Sequence, residues 1–282
     1  MAPGKVLKGG KMRFIQGSAR LAAAATAFAV LLLAAPAGAV IDGTSDTDNT
    51  YANVGVLQLN IDDEWFDFCS GTLVREDVVL TAAHCTDFLV EEGDDGFGPD
   101  DLRISFDPEG DGPYSTVDHI VVHEGWFEAG PCFGNSKRRC LAPPAEDIAL
   151  VFLDEAVDIT PAPIAGAGYL DELDLSEETF TVVGYGTDAF ITGSAASPKA
   201  IVVVDGIRSY RDVSALPAQD AFPDRFLKIT KSVCFGDSGG PLFHGDTIVA
   251  LNTWTFSFRC DGPNLEYRVD SDVAQQFLVE EL

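Results

Sequence analysis

Hydrolysing a peptide bond through a serine takes a hydroxyl to attack, an imidazole to accept its proton, a carboxylate to orient that imidazole, and N–H donors for the oxyanion. The chain contains a candidate for each. The run Phe235-Gly236-Asp237-Ser238-Gly239-Gly240-Pro241 sets a serine in a glycine-rich turn, where missing side chains let backbone N–H groups converge on an incoming carbonyl. The run Leu80-Thr81-Ala82-Ala83-His84-Cys85 places a histidine after a β-type stretch, among residues small enough to let the ring lie against a neighbouring element. A third run, Glu146-Asp147-Ile148-Ala149-Leu150, sets an acid at the mouth of an apolar strand. Alone it would read as a solvated loop residue. His119 and His123 fall in a strand-like stretch and His244 near a turn, so surface or satisfied structural roles suit these three.

Taken together, TAAHC, then D-I-A-L, then GDSGGP resemble the chymotrypsin/trypsin-like serine peptidases, as a secreted member of bacterial type. Cys69-Ser70-Gly71-Thr72-Leu73-Val74 resembles that family's strand before the histidine, Gly184-Tyr185-Gly186 its Gly-aromatic-Gly element, and Thr253-Trp254 its substrate-binding strand. The resemblance implies two perpendicular six-stranded antiparallel β-barrels with the active site between them. It gives Ser238 the nucleophile's role, His84 the base's and Asp147 the orienting acid's, with the Gly236 and Ser238 N–H groups as the oxyanion hole. It also implies the disulfides Cys69–Cys85 and Cys234–Cys260, with Cys132 and Cys140 as the remaining pair. In this family a freed N-terminal amine pairs with the acid before the serine, here Asp237. Val40-Ile41-Asp42-Gly43 resembles the mature start Ile-Val-Gly-Gly, with Asp42 departing from glycine. The pocket residues are then Ser232, Thr253, Trp254 and Thr255. Ser232 stands where trypsin-type members carry Asp, and Thr255 stands where deep-pocket members have Gly. The expected pocket is shallow and uncharged, suited to small or medium apolar side chains, with residues near Asn264 and Leu265 narrowing one wall.

The elements that must position these groups read as all-β. Runs rich in Val, Ile, Thr and Phe recur at residues 54–59, 71–74, 78–81, 102–106, 117–122, 148–152, 180–183, 226–229 and 247–251, bounded by Gly, Asp, Asn or Pro. No helical period of useful length lies between them, which argues against βαβ units. Near the end, Asp270 or Ser271 can cap a short C-terminal helix with Val273, Phe277 and Leu278 on one face. Residues 127–146 and 91–101 read as polar loops. The acids of the second could hold calcium, although a solvated loop is the simpler account, and no other cofactor or metal is expected.

Lys5, Lys8, Lys11, Arg13 and Arg20 precede an apolar run at 21–35, and Ala37-Gly38-Ala39 supplies an A-x-A cleavage site. This predicts a signal peptide over residues 1–39 and a peptidase domain over 40–282, secreted to an extracellular or periplasmic space. The alternative is an uncleaved anchor over 21–41, which Pro36 and the small residues disfavour. Removing the leader leaves 45 acids against 13 Lys and Arg, a formal charge near −32. Such a surface repels phosphates and anionic lipid, so nucleic acid and membrane are excluded as partners; a monomer acting on a protein or peptide substrate is expected. All six cysteines lie after the leader, an even number in an exported chain, and the lack of any C-x-x-C spacing speaks against zinc. An esterase of the α/β-hydrolase type would need G-x-S-x-G and the order Ser, Asp, His, and neither is present.

Overall fold

Runs of β-branched and aromatic residues become strands because their side chains suit a pleated, half-buried surface. The computed structural model describes residues 39–90, 96–128, 146–187, 206–217, 224–255 and 260–282. The chain divides into two compact units, Met1–Ala34 and Ala35–Leu282, and everything described belongs to the second. The expected leader up to Gly38, residues 91–95 of the candidate calcium loop, Cys132 and Cys140 lie outside the described residues.

A two-residue edge, β1 (Thr44–Ser45), precedes a closed barrel. Its strands are β2 (Val54–Ile61), β3 (Glu64–Arg75), β4 (Val78–Thr81), β5 (Leu102–Ser105), β6 (Tyr114–Val122) and β7 (Ala149–Leu153), in the order β2-β3-β4-β7-β6-β5. The β2–β3 hairpin turns on two residues, Asp62 and Asp63, at φ 55° and 67°. Positive φ at both centres matches the strand twist, and aspartate is among the few non-glycine residues that tolerate it.

The second sheet contains β8 (Thr179–Gly184), β9 (Ser209–Ser214), β10 (Phe226–Ile229), β11 (Pro241–His244), β12 (Thr247–Thr255) and β13 (Asn264–Arg268). With β1 as a seventh strand, its order is β1-β9-β8-β11-β12-β13-β10. Two six-stranded barrels were expected. The second curls back through a bridge between Ala215 and Ile229, flanked by the Leu216 N–H to Lys228 O and Thr230 N–H to Ser214 O bonds, where the first has full ladders.

Besides four short 3-10 turns, two α-helices lie among the described residues: α1 (Glu124–Glu128), a short turn where a loop was expected to begin, and α2 (Asp272–Glu281). Ser271 caps α2 by accepting from the Ala274 N–H. Ala274, Phe277 and Leu278 form its buried face, whereas Val273, expected there, lies on the flank and is exposed. The i, i+3, i+4 set starting at residue 274 is the one that faces the barrels.

The barrels share a core in which Val54, Val56, Leu80 and Leu150 of the first meet Phe243, Leu251, Tyr267 and the α2 face. A polar clasp crosses the same junction. The fully buried Arg208 donates from Nε to Asp46 Oδ2 at 2.8 Å, and from Nη1 to Val54 O, Phe106 O and Tyr185 Oη at 2.9, 3.0 and 3.0 Å. Asn49 accepts from its Nη2. Buried charge is tolerated only when paired and fully hydrogen-bonded, and Arg208 meets both conditions.

Candidate active site

His84 sits in a 3-10 turn, Ala83–Cys85, directly after β4, and Asp147 stands just before β7. Because β4 and β7 pair side by side, with Thr81 opposite Ala149, the chain ends that follow and precede them meet. The His84 backbone N–H donates to Asp147 Oδ1 at 2.9 Å, and its Nδ1 lies 2.8 Å from Asp147 Oδ2. Burial acts to lower the imidazole pKa, but the Asp147 charge and hydrogen bond, with a smaller push from Asp87, outweigh it and hold the pKa above 6.5. Asp87 is itself fixed by the Trp126 indole N–H at 2.8 Å. Glu146, next to Asp147, accepts from Tyr267 Oη at 2.6 Å and pairs with Arg225 at 3.0 Å, which anchors the segment carrying Asp147.

Ser70, on β3, brings the second barrel's serine turn to this pair. Its N–H donates to Ser238 O at 2.7 Å, its hydroxyl donates to Gly236 O at 2.8 Å, and that hydroxyl also accepts from the Tyr185 N–H at 3.0 Å. Gly239, at φ 78°, has no room for a side chain: a Cβ would lie 2.0 Å from Thr81 Oγ1 and 2.5 Å from Ser70 O. Gly236, at φ 94°, turns its backbone in a way other residues rarely adopt. Among the described residues neither the Gly236 nor the Ser238 N–H has an acceptor, so both remain available to an oxygen from outside. No hydrogen bond joins Ser238 Oγ to His84 among the described residues; in unliganded sites such bonds are often long and tighten with substrate.

Asp237 is fully buried. Its carboxylate accepts from the Gly186 and Cys234 N–H groups, both at 2.9 Å, and burial pushes its pKa up to about 8 despite those bonds. A Cβ on Gly184 would stand 2.3 Å from Asp237 Oδ1 and one on Gly186 2.6 Å from its Cγ, so the Gly-Tyr-Gly element is the cradle of this acid. No cation pairs with Asp237 among the described residues. Val40 is buried against Phe180, Val182 and Val249, and the next residue, Ile41, donates its N–H to Ser232 O at 2.9 Å. Asp42, where the resemblance called for glycine, adopts φ 53°, a conformation glycine favours and aspartate tolerates.

Of the expected pocket residues, Ser232 is buried: its N–H donates to Asn264 Oδ1 at 2.9 Å and its hydroxyl to Thr230 O at 3.0 Å. Thr253, Trp254 and Thr255 are half-buried along β12, as a substrate-facing edge requires. A bulge at Thr253 takes its N–H out of the ladder, and Glu266 Oε2 accepts it at 3.0 Å. The disulfides Cys69–Cys85 and Cys234–Cys260 are both formed. The first uses up both sulfurs near His84, the one grouping of metal-ligand residue types among the described residues. His119 stacks on Phe152 and His244 lies between Tyr169 and Glu178; His123 Nδ1 accepts from the Gly125 N–H, and its backbone N–H donates to Ile148 O, next to Asp147, at 3.2 Å.

The trypsin family's sequence pattern matches residues 40–277. This chain belongs to the trypsin family. Among curated relatives it is 25% identical over 223 residues to chymotrypsin-like elastase family member 1 of Bos taurus, covering 72% of each chain. It is 30% identical over 216 residues to chymotrypsin-C of Rattus norvegicus, covering 72% of this chain and 71% of that one. Among solved structures, human heparin binding protein aligns at TM-score 0.60 and 14% identity over 85% of this chain and 95% of that one. The VesB protease of Vibrio cholerae aligns at TM-score 0.59 and 17% identity over 86% and 67%. These structures share the fold. The supporting residues that motif reading missed are Asn252 and Glu266, the first a polar residue in an otherwise apolar strand run and the second in a strand of mixed character. Ser70 and Glu146 stood inside quoted motifs without a role, and Asn264 was expected only to narrow a pocket wall.

Proposed function

We propose that this protein is a serine endopeptidase. Ser238 attacks the scissile carbonyl, His84 takes its proton and later returns it to the leaving amine, and Asp147 orients the imidazole and stabilises its charged form. The observation that carries the reading is the His84–Asp147 pair at 2.8 Å, standing beside a serine turn with two unused N–H donors. Those donors, from Gly236 and Ser238, suit the oxyanion of a tetrahedral intermediate.

Export and activation follow one cut. Signal peptidase acting after Ala39 exports the chain and frees the amine of Val40, the cation that buried Asp237 lacks. No propeptide is then needed, and the mature protein works as a secreted monomer on proteins or peptides. N-terminal sequencing of active, secreted enzyme tests this, and a start other than Val40 refutes it. The residues lining the pocket support cleavage after small or medium apolar side chains.

A second reading is a non-catalytic secreted binding protein, favoured by the lack of a Ser238 Oγ–His84 hydrogen bond among the described residues and by the fold shared with heparin binding protein. A chain of net charge −27 is poorly suited to a polyanion such as heparin. Labelling by a fluorophosphonate probe, lost in Ser238→Ala, separates the two readings. An unlabelled, correctly processed protein would overturn the peptidase.

A further inference from the structure

The segment carrying Ser232 and Val233 and the strands β12 and β13 form the two sides of the expected substrate pocket, and the Cys234–Cys260 disulfide ties them. Asn264 also crosses from one side to the other. Its Oδ1 accepts from the Ser232 and Val233 N–H groups at 2.9 and 3.3 Å, and its Nδ2 donates to Val233 O at 3.2 Å. One carboxamide thus holds three backbone groups of the opposite wall. With it in place, Ser232, Asn252, Asn264 and Glu266 are all sealed from solvent at 0% exposure.

Two of these sealed residues are incompletely bonded. Asn252 on β12 and Glu266 on β13 are directly opposed in register, so their side chains share a face of the sheet. Asn252 spends its Nδ2 on Val183 O and Asp237 O, and Glu266 spends Oε2 on the Thr253 N–H. Asn252 Oδ1 and Glu266 Oε1 have no hydrogen-bond partner among the described residues. With Glu266 ionised, these two buried acceptors have no donor between them, and what they then lack is an N–H or O–H group.

We propose that Asn264 is the specificity-determining crossbar that limits the pocket to small uncharged side chains, and that Glu266 and Asn252 beyond it form a sealed acceptor site that fits an ammonium or guanidinium. This deepens the endopeptidase reading and rests on it. In the native chain the acid cannot reach substrate, so cleavage after basic residues is blocked by the crossbar and not by want of a carboxylate. The burial that holds the Glu266 carboxyl well above its usual range, with Asp237 adding to it, is the expected state of an acid without a counter-charge.

The test uses the processed enzyme and a peptide series differing only at the residue before the cleaved bond: Ala, Val, Phe and Arg. The native enzyme should cleave after Ala or Val with kcat/KM at least about a hundredfold above Phe and Arg. Asn264→Gly should gain on both Phe and Arg. Asn264→Gly/Glu266→Gln should keep the gain on Phe and lose about two orders of magnitude on Arg, because the counter-charge is gone while the depth remains. Native cleavage after Phe or Arg as efficient as after Ala overturns the crossbar without any variant. A gain on Arg that survives Glu266→Gln overturns the acceptor site. If Asn264→Gly does not fold, Asn264→Ala is read in its place. Fluorophosphonate labelling of the native enzyme separates failure here from failure of the endopeptidase reading.

Discussion

Raising the pH should destabilise the full-length chain, and freeing the amine of Val40 should remove the part of the effect that comes from Asp237. The reasoning starts from Asp237, which titrates at about 8 when folded against an ordinary 3.8, through burial without a cation. Between those values the folded chain holds a proton that the unfolded chain has released, so stability falls as pH rises through the window. The slope is about 1.36 kcal/mol per pH unit, which gives roughly 4 kcal/mol lost between about pH 5 and pH 8. Glu266, also raised by burial, adds a slope of the same sign, so Asp237→Asn is needed to isolate the first term. In the chain that begins at Val40 the proposed pairing of the ammonium with Asp237 would lower that carboxyl's pKa and retain its contribution at neutral pH. Urea unfolding by tryptophan fluorescence, in a Ser238→Ala background to stop self-digestion, measures all three proteins. Parallel pH slopes for the full-length and Asp237→Asn chains would refute the reasoning. So would a Val40-start chain as sensitive to pH as the uncut one.

Asp147→Asn should keep the fold and lower kcat by roughly four orders of magnitude, because the amide holds the wrong imidazole tautomer; steady-state kinetics on any cleaved peptide reads it. Since the base works only when neutral and its pKa is held above 6.5, kcat/KM should fall as pH drops through a midpoint above that value. Asp87→Asn, which removes one of the charges raising it, should move that midpoint down, and an unmoved acid limb would exclude Asp87 from the base's electrostatics. Arg208→Met should cost about 3–5 kcal/mol in urea unfolding by leaving Asp46 buried and unpaired, and pairing it with Asp46→Leu should restore most of the loss.

The sequence motifs carry the reacting groups and the strand pattern carries most of the scaffold, because both are local. Val78–Thr81 and Phe226–Ile229 are strands with the bounds their apolar runs suggest. Strand β9, Ser-Tyr-Arg-Asp-Val-Ser, has no such run, because one side of it is polar and Arg208 just before it is buried by ion pairing. Strand β13, Asn-Leu-Glu-Tyr-Arg, is fully buried although three of its five residues are polar. Its amide and acid are held by partners at 232, 233 and 253, distances along the chain that no local pattern reports. The bonds from the Asn264 carboxamide to the Ser232-Val233 backbone were hidden for the same reason.

Arg208 explains how so few local signals suffice to assemble the site. The Asp46 it holds is six residues beyond Val40, the Tyr185 it touches lies between the two glycines that cradle Asp237, and Val54 and Phe106 belong to the first barrel or its border. A single guanidinium with its five fixed donors therefore ties the amino-terminal segment, the cradle of its prospective counter-ion and the barrel that supplies His84. Lysine could offer three donors at one point and could not span these acceptors. If the amine of Val40 is released and pairs with Asp237 as proposed, a segment already held through Asp46 has less chain entropy to lose.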